Sequence, residues 1–334
     1  MKNGNVCSTA STGRRNASKR GDFHARIPST RPNEKATGAA TISTESVCIA
    51  SSHCPTNAIQ TKVAPASNAS RHCPAEYPNL QRQIEQIESC VATGADGLIV
   101  GSVSFDGLSD VLERISHAMP VIASVNDVSD RGVTAKVGVS WYDMGAAAAR
   151  AVAEAHPAGS TPVRVAWFPG PVGAGWVKFV DAGFRDVLRN SSAQIVDTLY
   201  GDTGLEIQVR LVESALGAHP DLDYIVGSAP TAEAAVSILR AKGLEGRIKI
   251  VSDYMTHAVM RGLRRGKVVA APTDYPVFQG RLSIEMAVRA VEGRLLFRHI
   301  GPKISIVTSE AETSLPAHES LAPASFVPVF NLDQ

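Results

Sequence analysis

Cysteine, net charge and long apolar runs are all scarce in this 334-residue chain, and each shortage excludes a class of protein. Only five cysteines occur, an odd number, with four of them in the first 75 residues, so a disulfide framework is not expected. The formal net charge of +1 gives no sign of a nucleic-acid partner. Because no run of about eighteen apolar residues exists, we expect no membrane span. The first forty residues lack the apolar core of a signal peptide.

Residues 1–75 differ in composition from the rest of the chain. They carry ten Lys and Arg against three Asp and Glu, a formal net charge of +7, which leaves the remainder near −6. Ser, Thr, Ala and Asn are abundant, Pro and Gly recur, and no helical or strand period is visible. We expect a disordered basic segment. A nucleic-acid-binding arm and an out-of-frame stretch are the other interpretations, and its Cys and His residues fit no standard zinc spacing.

The most informative stretch of the chain runs from Val163 to Gly293. A short apolar run, a loop with Gly or Pro, and an amphipathic helical run follow one another there several times. This alternation predicts a parallel sheet with crossover helices. In such sheets, ligands bind outside the carboxyl ends of the strands. The loops that follow the apolar runs are therefore where we expect a site.

The residues before this stretch hold two further units, each a helix followed by a strand, the first helix predicted over 78–94. A doubly wound half normally begins with a strand. We therefore expect the first strand-helix-strand to be missing or replaced, which would leave one strand edge open. We predict an incomplete first lobe from 76–126 plus 271–334, including the apolar run ISIVTS. The second lobe is predicted over 127–270.

Candidate binding residues lie on loops at the carboxyl ends of the predicted strands. Trp141 begins a helix after the crossing between lobes and Tyr254 ends a strand, and aromatic faces there suit a sugar or a quaternary ammonium. Ordinary packing explains each ring equally well. Asp274, on the second crossing, fits either ligand contact or helix capping, and Asp253 has the same two interpretations. The loop around Pro171 and Gly173 lacks Walker and dinucleotide-binding spacing, so a tight turn is the simpler interpretation.

No arrangement typical of an enzyme is visible, since the chain shows no Ser/His/Asp order, no paired metal ligands and no nucleophile elbow. We predict a binding protein without catalysis, cofactor or metal. One alternative is a protein that binds a sugar or another small solute for an ABC transporter. Another is the effector domain of a transcription repressor, which would need a helix-turn-helix that residues 1–75 do not show.

Several motifs, in order, resemble one known family: WYDMG, FPGPVGAGWVKFVDAGFR, YGDTGLEIQ, HPDLDYIVGSAPTAEAA, VSDYMTHAVMRGLRRGKV and TDYPVFQG. From about Tyr77 onward, the chain is similar to the type I periplasmic-binding proteins of the trimethylamine N-oxide (TMAO) respiratory system. The resemblance implies two α/β lobes of parallel doubly wound sheets, a periplasmic location and TMAO bound in the cleft. It also implies a complex with the periplasmic sensor domain of a histidine kinase that controls induction of TMAO reductase.

The same resemblance implies roles for individual residues. Trp141 and Tyr254 match two aromatic positions of the family's pocket, and Tyr77 is expected to supply a third. Asp274 and the Pro171–Gly173 loop are expected at the cleft. Residues 1–75 resemble no part of the family, so we expect them not to be native family sequence, and we expect a first lobe that lacks part of its sheet.

Overall fold

The computed structural model describes residues 47–51, 79–92, 94–308, 317–323 and 325–327, and of 47–51 it describes the backbone alone. Helices and strands alternate along most of this part of the chain, as an α/β fold requires. No helix among these residues is long and apolar enough to cross a membrane.

The strands of the described part are β1 (Val47–Ser51), β2 (Gly97–Gly101), β3 (Val121–Ser124), β4 (Ala135–Val137), β5 (Val163–Gly170), β6 (Ala193–Tyr200), β7 (Tyr224–Gly227), β8 (Lys249–Ser252), β9 (Ala270–Thr273), β10 (His299–Ile300) and β11 (Ser305–Thr308). The helices are α1 (Leu80–Ala92), α2 (Ser109–Ser116), α3 (Trp141–Ala153), α4 (Val177–Leu188), α5 (Leu205–Ala218), α6 (Ala229–Ala241), α7 (His257–Arg264), α8 (Pro276–Val291) and α9 (Ala317–Ser320). The predicted first helix is thus confirmed as α1.

The first sheet contains five parallel strands in the order β1-β2-β3-β4-β10. β1 pairs with the whole of β2, from Val47 opposite Gly97 to Ser51 opposite Gly101. The expected open edge at β2 is therefore wrong, because a strand from within residues 1–75 covers it. The expectation of disorder is wrong for the same five residues. The remainder of that segment lies outside the described residues.

The second sheet contains six strands in the order β11-β9-β8-β7-β5-β6. Neighbouring strands are parallel except for β11, which runs antiparallel to β9. β5 to β9 are the strands of the repeated pattern from Val163 to Gly293, which confirms that interpretation. The expectation that the ISIVTS run belongs to the first lobe is wrong: Ser305 pairs with Thr273 and Thr308 with Ala270. An antiparallel edge strand is common on an otherwise parallel sheet.

The chain passes between the two sheets three times: after β4 near Gly138, after β9 at Asp274, and between β10 and β11 near Gly301. β4 belongs to the first sheet, so the predicted passage to the second lobe at residue 127 is too early. The backbone N–H of Gly138 donates to the carbonyl of Ile300 at 3.1 Å. A Cβ on Gly301 would lie 1.8 Å from the Gly138 carbonyl oxygen, so these two crossings pack main chain against main chain.

Helices α3 and α4 pack against each other on one face of the second sheet. A Cβ placed on Gly145 would lie 2.0 Å from the Val180 carbonyl oxygen. A Cβ on Gly183 would lie 1.9 Å from the Tyr142 carbonyl oxygen. The two main chains therefore touch, and glycine is the residue that permits this approach.

Polar caps decide where the helices next to the candidate site begin. The Ser140 side chain accepts a hydrogen bond from the Asp143 backbone N–H at 3.1 Å, which makes Ser140 the N-cap of α3. The Thr256 side chain accepts from the Val259 N–H at 3.3 Å at the start of α7. The first cap places Trp141 at the opening of its helix, directly after a crossing between the sheets.

Cys90 lies buried in α1 and is disulfide-bonded. The sequence analysis expected no disulfide framework, and it did not foresee this bond at Cys90. The four other cysteines all fall within residues 1–75. An intrachain partner of Cys90 must consequently come from that segment.

Candidate functional site

Three aromatic rings meet at the carboxyl ends of the second sheet and the first crossing. The ring centroids of Trp141 and Trp176 are 5.1 Å apart, and each lies 6.4 Å from the centroid of Tyr254. The Tyr254 ring stands at 86° to one indole and 88° to the other. The structure thus brings together the two predicted aromatic residues and adds a third, Trp176, which the sequence analysis did not select.

These separations decide how the cluster can receive a ligand. Rings at 5.1–6.4 Å pack directly on one another. A methylated cation does not fit between them, so it would have to bind on a ring face turned away from the cluster or separate the rings. Trp141 is 7% exposed and Trp176 3%, whereas Tyr254 is half-buried. Tyr254 therefore offers the most accessible ring.

The Trp141 ring also joins the two lobes. Its indole Nε1–H donates to the Val125 carbonyl oxygen at 3.1 Å, just beyond β3 of the first sheet. Val125 has a φ of 65°, a left-handed conformation that is strained for a β-branched residue. Trp141 additionally lines a cavity of about 240 Å³, to which Asn126, Lys136 and His299 also contribute. Of the predicted site residues that the structure describes, Trp141 is the one that lines this cavity.

Asp253 follows β8 and precedes Tyr254, and it is the most unusual polar residue of the described part of the chain. Its side chain is fully buried, and neither carboxyl oxygen has a hydrogen-bond partner among the described residues. Burial raises the pKa of this carboxyl well above its ordinary value. The carboxyl therefore stays protonated to a higher pH than an exposed aspartate does, and in that form its O–H can donate to a ligand oxygen. The sequence left Asp253 between ligand contact and helix capping, because a lone Asp after a strand gives no sign of burial.

Asp274 lies on the second crossing, as predicted. The Gln279 side-chain amide donates to its carboxylate at 2.6 Å and to its backbone carbonyl at 2.7 Å. Burial raises the pKa of Asp274, and the hydrogen bond from Gln279 opposes that shift. These bonds tie the crossing to α8. A role for Asp274 in ligand contact stays a prediction.

The loop after β5 has the geometry of a local turn. Pro171 is buried, and its carbonyl accepts a hydrogen bond from the Ala174 N–H at 3.3 Å. Gly173 is exposed, with a φ of 94°, and a Cβ added there would have no neighbouring atom within 4 Å. This conformation supports the interpretation as a tight turn. A role in ligand binding stays a prediction for both residues, and Tyr77 lies outside the described residues.

Within the part of the chain that the structure describes, no group of three or more His, Cys, Asp or Glu side chains is arranged to hold a metal ion. The carboxyl end of the second sheet carries the aromatic faces of the cluster and the buried carboxyl of Asp253. Such a site suits a small solute that carries diffuse positive charge and one hydrogen-bond acceptor.

The model of a family described as a periplasmic binding protein domain matches residues 58–295. This chain belongs to the periplasmic binding protein family. The match begins before Tyr77, so the expectation that residues 1–75 contain no family sequence is wrong for 58–75. The two-sheet architecture agrees with this assignment, and family membership makes the chain a periplasmic protein.

Two relatives carry the name TorT. The periplasmic protein TorT of Escherichia coli strain K12 is 35% identical over 255 residues, which is 76% of this chain and 72% of TorT. A solved complex of the TorS sensor domain with TorT, in the presence of TMAO, contains a chain 36% identical to this one. The match has a TM-score of 0.70 and covers 76% of this chain and 86% of the other. The predicted resemblance is confirmed.

A third relative is a transporter component. The structure of an ABC transporter solute-binding protein from Bradyrhizobium sp. BTAi1, with bound Bis-Tris, is 45% identical to this chain. Its TM-score is 0.67, and the match covers 75% of this chain and 76% of that one.

Proposed function

We propose that this chain is a periplasmic sensor subunit that binds TMAO, has no catalysis of its own, and assembles with the sensor domain of a TorS-type histidine kinase. The observation that carries the proposal is the cluster of three aromatic rings at the carboxyl end of the second sheet, where the buried carboxyl of Asp253 directly precedes Tyr254 in the chain. The kinship to TorT, which has been solved with the TorS sensor domain and TMAO, supports the same ligand and partner.

The chemistry of TMAO matches these groups. Its trimethylated nitrogen spreads positive charge over three methyl groups, which ring faces attract by up to about 2 kcal/mol when water is excluded. Its N-oxide oxygen is a strong acceptor with no proton of its own. In the proposed complex, the Asp253 O–H donates to that oxygen while Tyr254 and Trp141 contact the methyl groups. In that protonated form, the carboxyl group of Asp253 does not repel the oxygen.

The remaining predicted residues take smaller parts in this proposal. Tyr77 is proposed as a further pocket wall on the strength of the resemblance alone. Asp274 is proposed at the cleft, where Gln279 fixes its carboxylate. Pro171 and Gly173 are proposed to shape the loop that leads to Trp176 without contacting the solute.

A second function is favoured by one observation, the 45% identity to a transporter protein that holds Bis-Tris. Bis-Tris is a tertiary amine with several hydroxyl groups, so this relative also takes a small amine. The alternative is therefore a solute-binding protein of an ABC transporter, for a sugar or another small solute. A sugar would need several paired polar side chains for its hydroxyls. The aromatic cluster offers few such partners.

The ligand is tested by titrating TMAO into the protein and following tryptophan fluorescence. All three tryptophans of the chain lie in the same buried cluster, so binding there changes the signal. Betaine, Bis-Tris and ribose serve as competitors. We expect saturable binding of TMAO and none of ribose. Saturation by ribose or Bis-Tris with no response to TMAO would establish the transporter alternative.

The role of the ring is tested with Trp141→Ala, which should weaken TMAO binding without unfolding the second lobe. The matched control is Trp167→Phe, because Trp167 stacks on Phe184 of α4, with ring centroids 4.0 Å apart.

The partner is tested by mixing the full chain with a purified TorS-type sensor domain and measuring complex formation by ultracentrifugation, with and without TMAO. Absence of a complex in both conditions would refute the sensor role.

A further inference from the structure

Eight basic residues gather at the edge of the second sheet that lies opposite the candidate site. They belong to the end of α6 and the loop that leads into β8, and to α7 and the loop that leads into β9. β8 and β9 are neighbouring parallel strands, so both loops lie at the amino ends of adjacent strands. All eight residues are exposed, and together they form what we call the basic pole: Arg240, Lys242, Arg247, Lys249, Arg261, Arg264, Arg265 and Lys267.

Contacts between the loops hold the basic pole together. The Lys267 Nζ lies 3.1 Å from a Glu245 carboxylate oxygen, an ion pair that joins the loop before β9 to the loop before β8. The Arg247 guanidinium donates to the Pro220 carbonyl at 3.0 Å, which ties the loop before β8 to the loop before β7. The cations of the pole are therefore presented side by side on connected loops.

Among the described residues, acidic side chains do not neutralise the pole. Between 240 and 267 the chain exposes one acid, Glu245, which is already paired. In the neighbouring loop before β7, the Asp221 carboxylate pairs with Arg164 at 3.0 Å. The pole thus keeps an excess of positive charge, although residues 76–334 as a whole have a formal net charge near −6. Four of its cations form no ion pair with any described residue: Arg240, Lys242, Arg261 and Arg265.

The pole also lacks an apolar anchor. Every exposed large apolar side chain in the described part of the chain lies outside 240–267. A protein interface normally has an apolar or aromatic centre that carries most of the affinity, and the pole does not offer one. A bilayer with anionic headgroups needs no such centre, because it attracts each Lys or Arg near its surface by about fivefold in affinity. Guanidinium groups in addition bind phosphate oxygens through paired hydrogen bonds.

Family membership places this surface in the periplasm, a compartment bounded by membranes. We propose that the basic pole docks the chain reversibly on an anionic phospholipid bilayer. The candidate site lies at the opposite edge of the same sheet and therefore faces away from the bilayer. Docking does not depend on which solute binds, so it goes beyond the proposed function.

Co-sedimentation of the full chain with lipid vesicles tests the docking. Vesicles of equal parts phosphatidylcholine and phosphatidylglycerol should bind the chain at low salt, and vesicles of phosphatidylcholine alone should not. High salt should release the chain, because it screens charges at a surface. The test variant combines Lys242→Gln, Arg261→Gln and Arg265→Gln, which break no ion pair with the described residues. Its affinity for the anionic vesicles should fall by about 100-fold.

The matched control removes the same charge from the other lobe. It combines Arg281→Gln, Arg294→Gln and Arg298→Gln, three exposed arginines of α8 and the loop after it, and it should bind the vesicles nearly as wild type does. Arg265→Gln alone, with an expected loss of about fivefold, decides the matter if circular dichroism shows that the triple variant does not fold.

The docking is overturned if anionic vesicles do not bind at low salt, if binding survives high salt, or if both triple variants lose the same affinity. Binding of polyglutamate without binding of vesicles would also overturn it and would assign an acidic protein partner instead. Neither triple variant should change the affinity for TMAO. Failure of wild type to bind TMAO therefore refutes the proposed function and leaves the docking to be decided by the vesicles.

Discussion

Replacement of Asp253 by Asn should make the stability of the second lobe less dependent on pH. The Asp253 side chain is 0% exposed, and its carboxyl oxygens have no partner among the described residues. Burial raises its pKa well above the ordinary value, so the native state holds this proton to a higher pH than the unfolded chain does. The unfolded chain ionises near a pKa of about 3.9. Above that pH, ionisation of Asp253 lowers the free energy of the unfolded state but not that of the native state, so the protein becomes less stable.

The sign and size of this effect follow from proton linkage. The stability contribution of Asp253 is fully present below the unfolded pKa and is lost as pH rises towards the raised native pKa. While the two states differ by one proton, the free energy of unfolding falls by about 1.4 kcal/mol per pH unit. As pH rises from the unfolded pKa towards the raised native pKa, Asp253→Asn should gain stability relative to wild type, since asparagine does not titrate.

Urea denaturation at pH 5, 6 and 7, followed by tryptophan fluorescence, measures this difference. The three tryptophans report on the core cluster of the second sheet, which lies in the lobe that contains Asp253. Asp110→Asn controls for the same chemical exchange at an exposed carboxylate of α2, whose side chain is 91% exposed. A difference between Asp253→Asn and wild type that stays constant from pH 5 to pH 7 would show that the buried acid is ionised, and the reasoning would be wrong.

Three further predictions follow from the packing and the site. Asp253→Ala should weaken TMAO binding by up to about tenfold, and Asp253→Asn should weaken it much less, because asparagine keeps a hydrogen-bond donor. Isothermal titration calorimetry measures both affinities. Equal losses of affinity in the two variants would contradict this prediction. Gly145→Ala and Gly183→Ala should each destabilise the second lobe by about 1–3 kcal/mol or more in thermal unfolding, because the added methyl group meets the main chain of the facing helix. Gly217→Ala is the control and should have no such effect. An unchanged unfolding temperature for the first two variants would refute the close contact between α3 and α4. Reduction of the Cys90 disulfide should lower the stability of the first lobe by about 2–5 kcal/mol. Peptide mapping without reductant should find the Cys90 peptide linked to a peptide from residues 1–75. Detection of a free Cys90 thiol would exclude this link.

The repeated pattern from Val163 to Gly293 made the second sheet predictable, because each strand and helix there has a local period and local stop signals. Trp141 and Tyr254 could be selected for the same reason, since both stand where a predicted element begins or ends. Prediction was poorer where pairing is non-local. β11 pairs with β9, and two crossings, helix α8 and strand β10 separate them along the chain. No local signal distinguishes β11 from a strand of the first sheet. The strand at Val47–Ser51 was missed because it lies in a segment whose composition is typical of disorder.

The sequence by itself determined the class of fold, the succession of strands and helices from Val163 to Gly293, and the family. Periodicity, turn residues and ordered motifs are all local properties of the chain. Only the tertiary structure decided that Trp176 joins Trp141 and Tyr254, that Asp253 is buried without a partner among the described residues, and that the basic pole gathers at the amino ends of β8 and β9. Burial and contact depend on atoms brought together from distant positions, and the free energy of a carboxyl group or a glycine depends on those surroundings far more than on its neighbours in the chain.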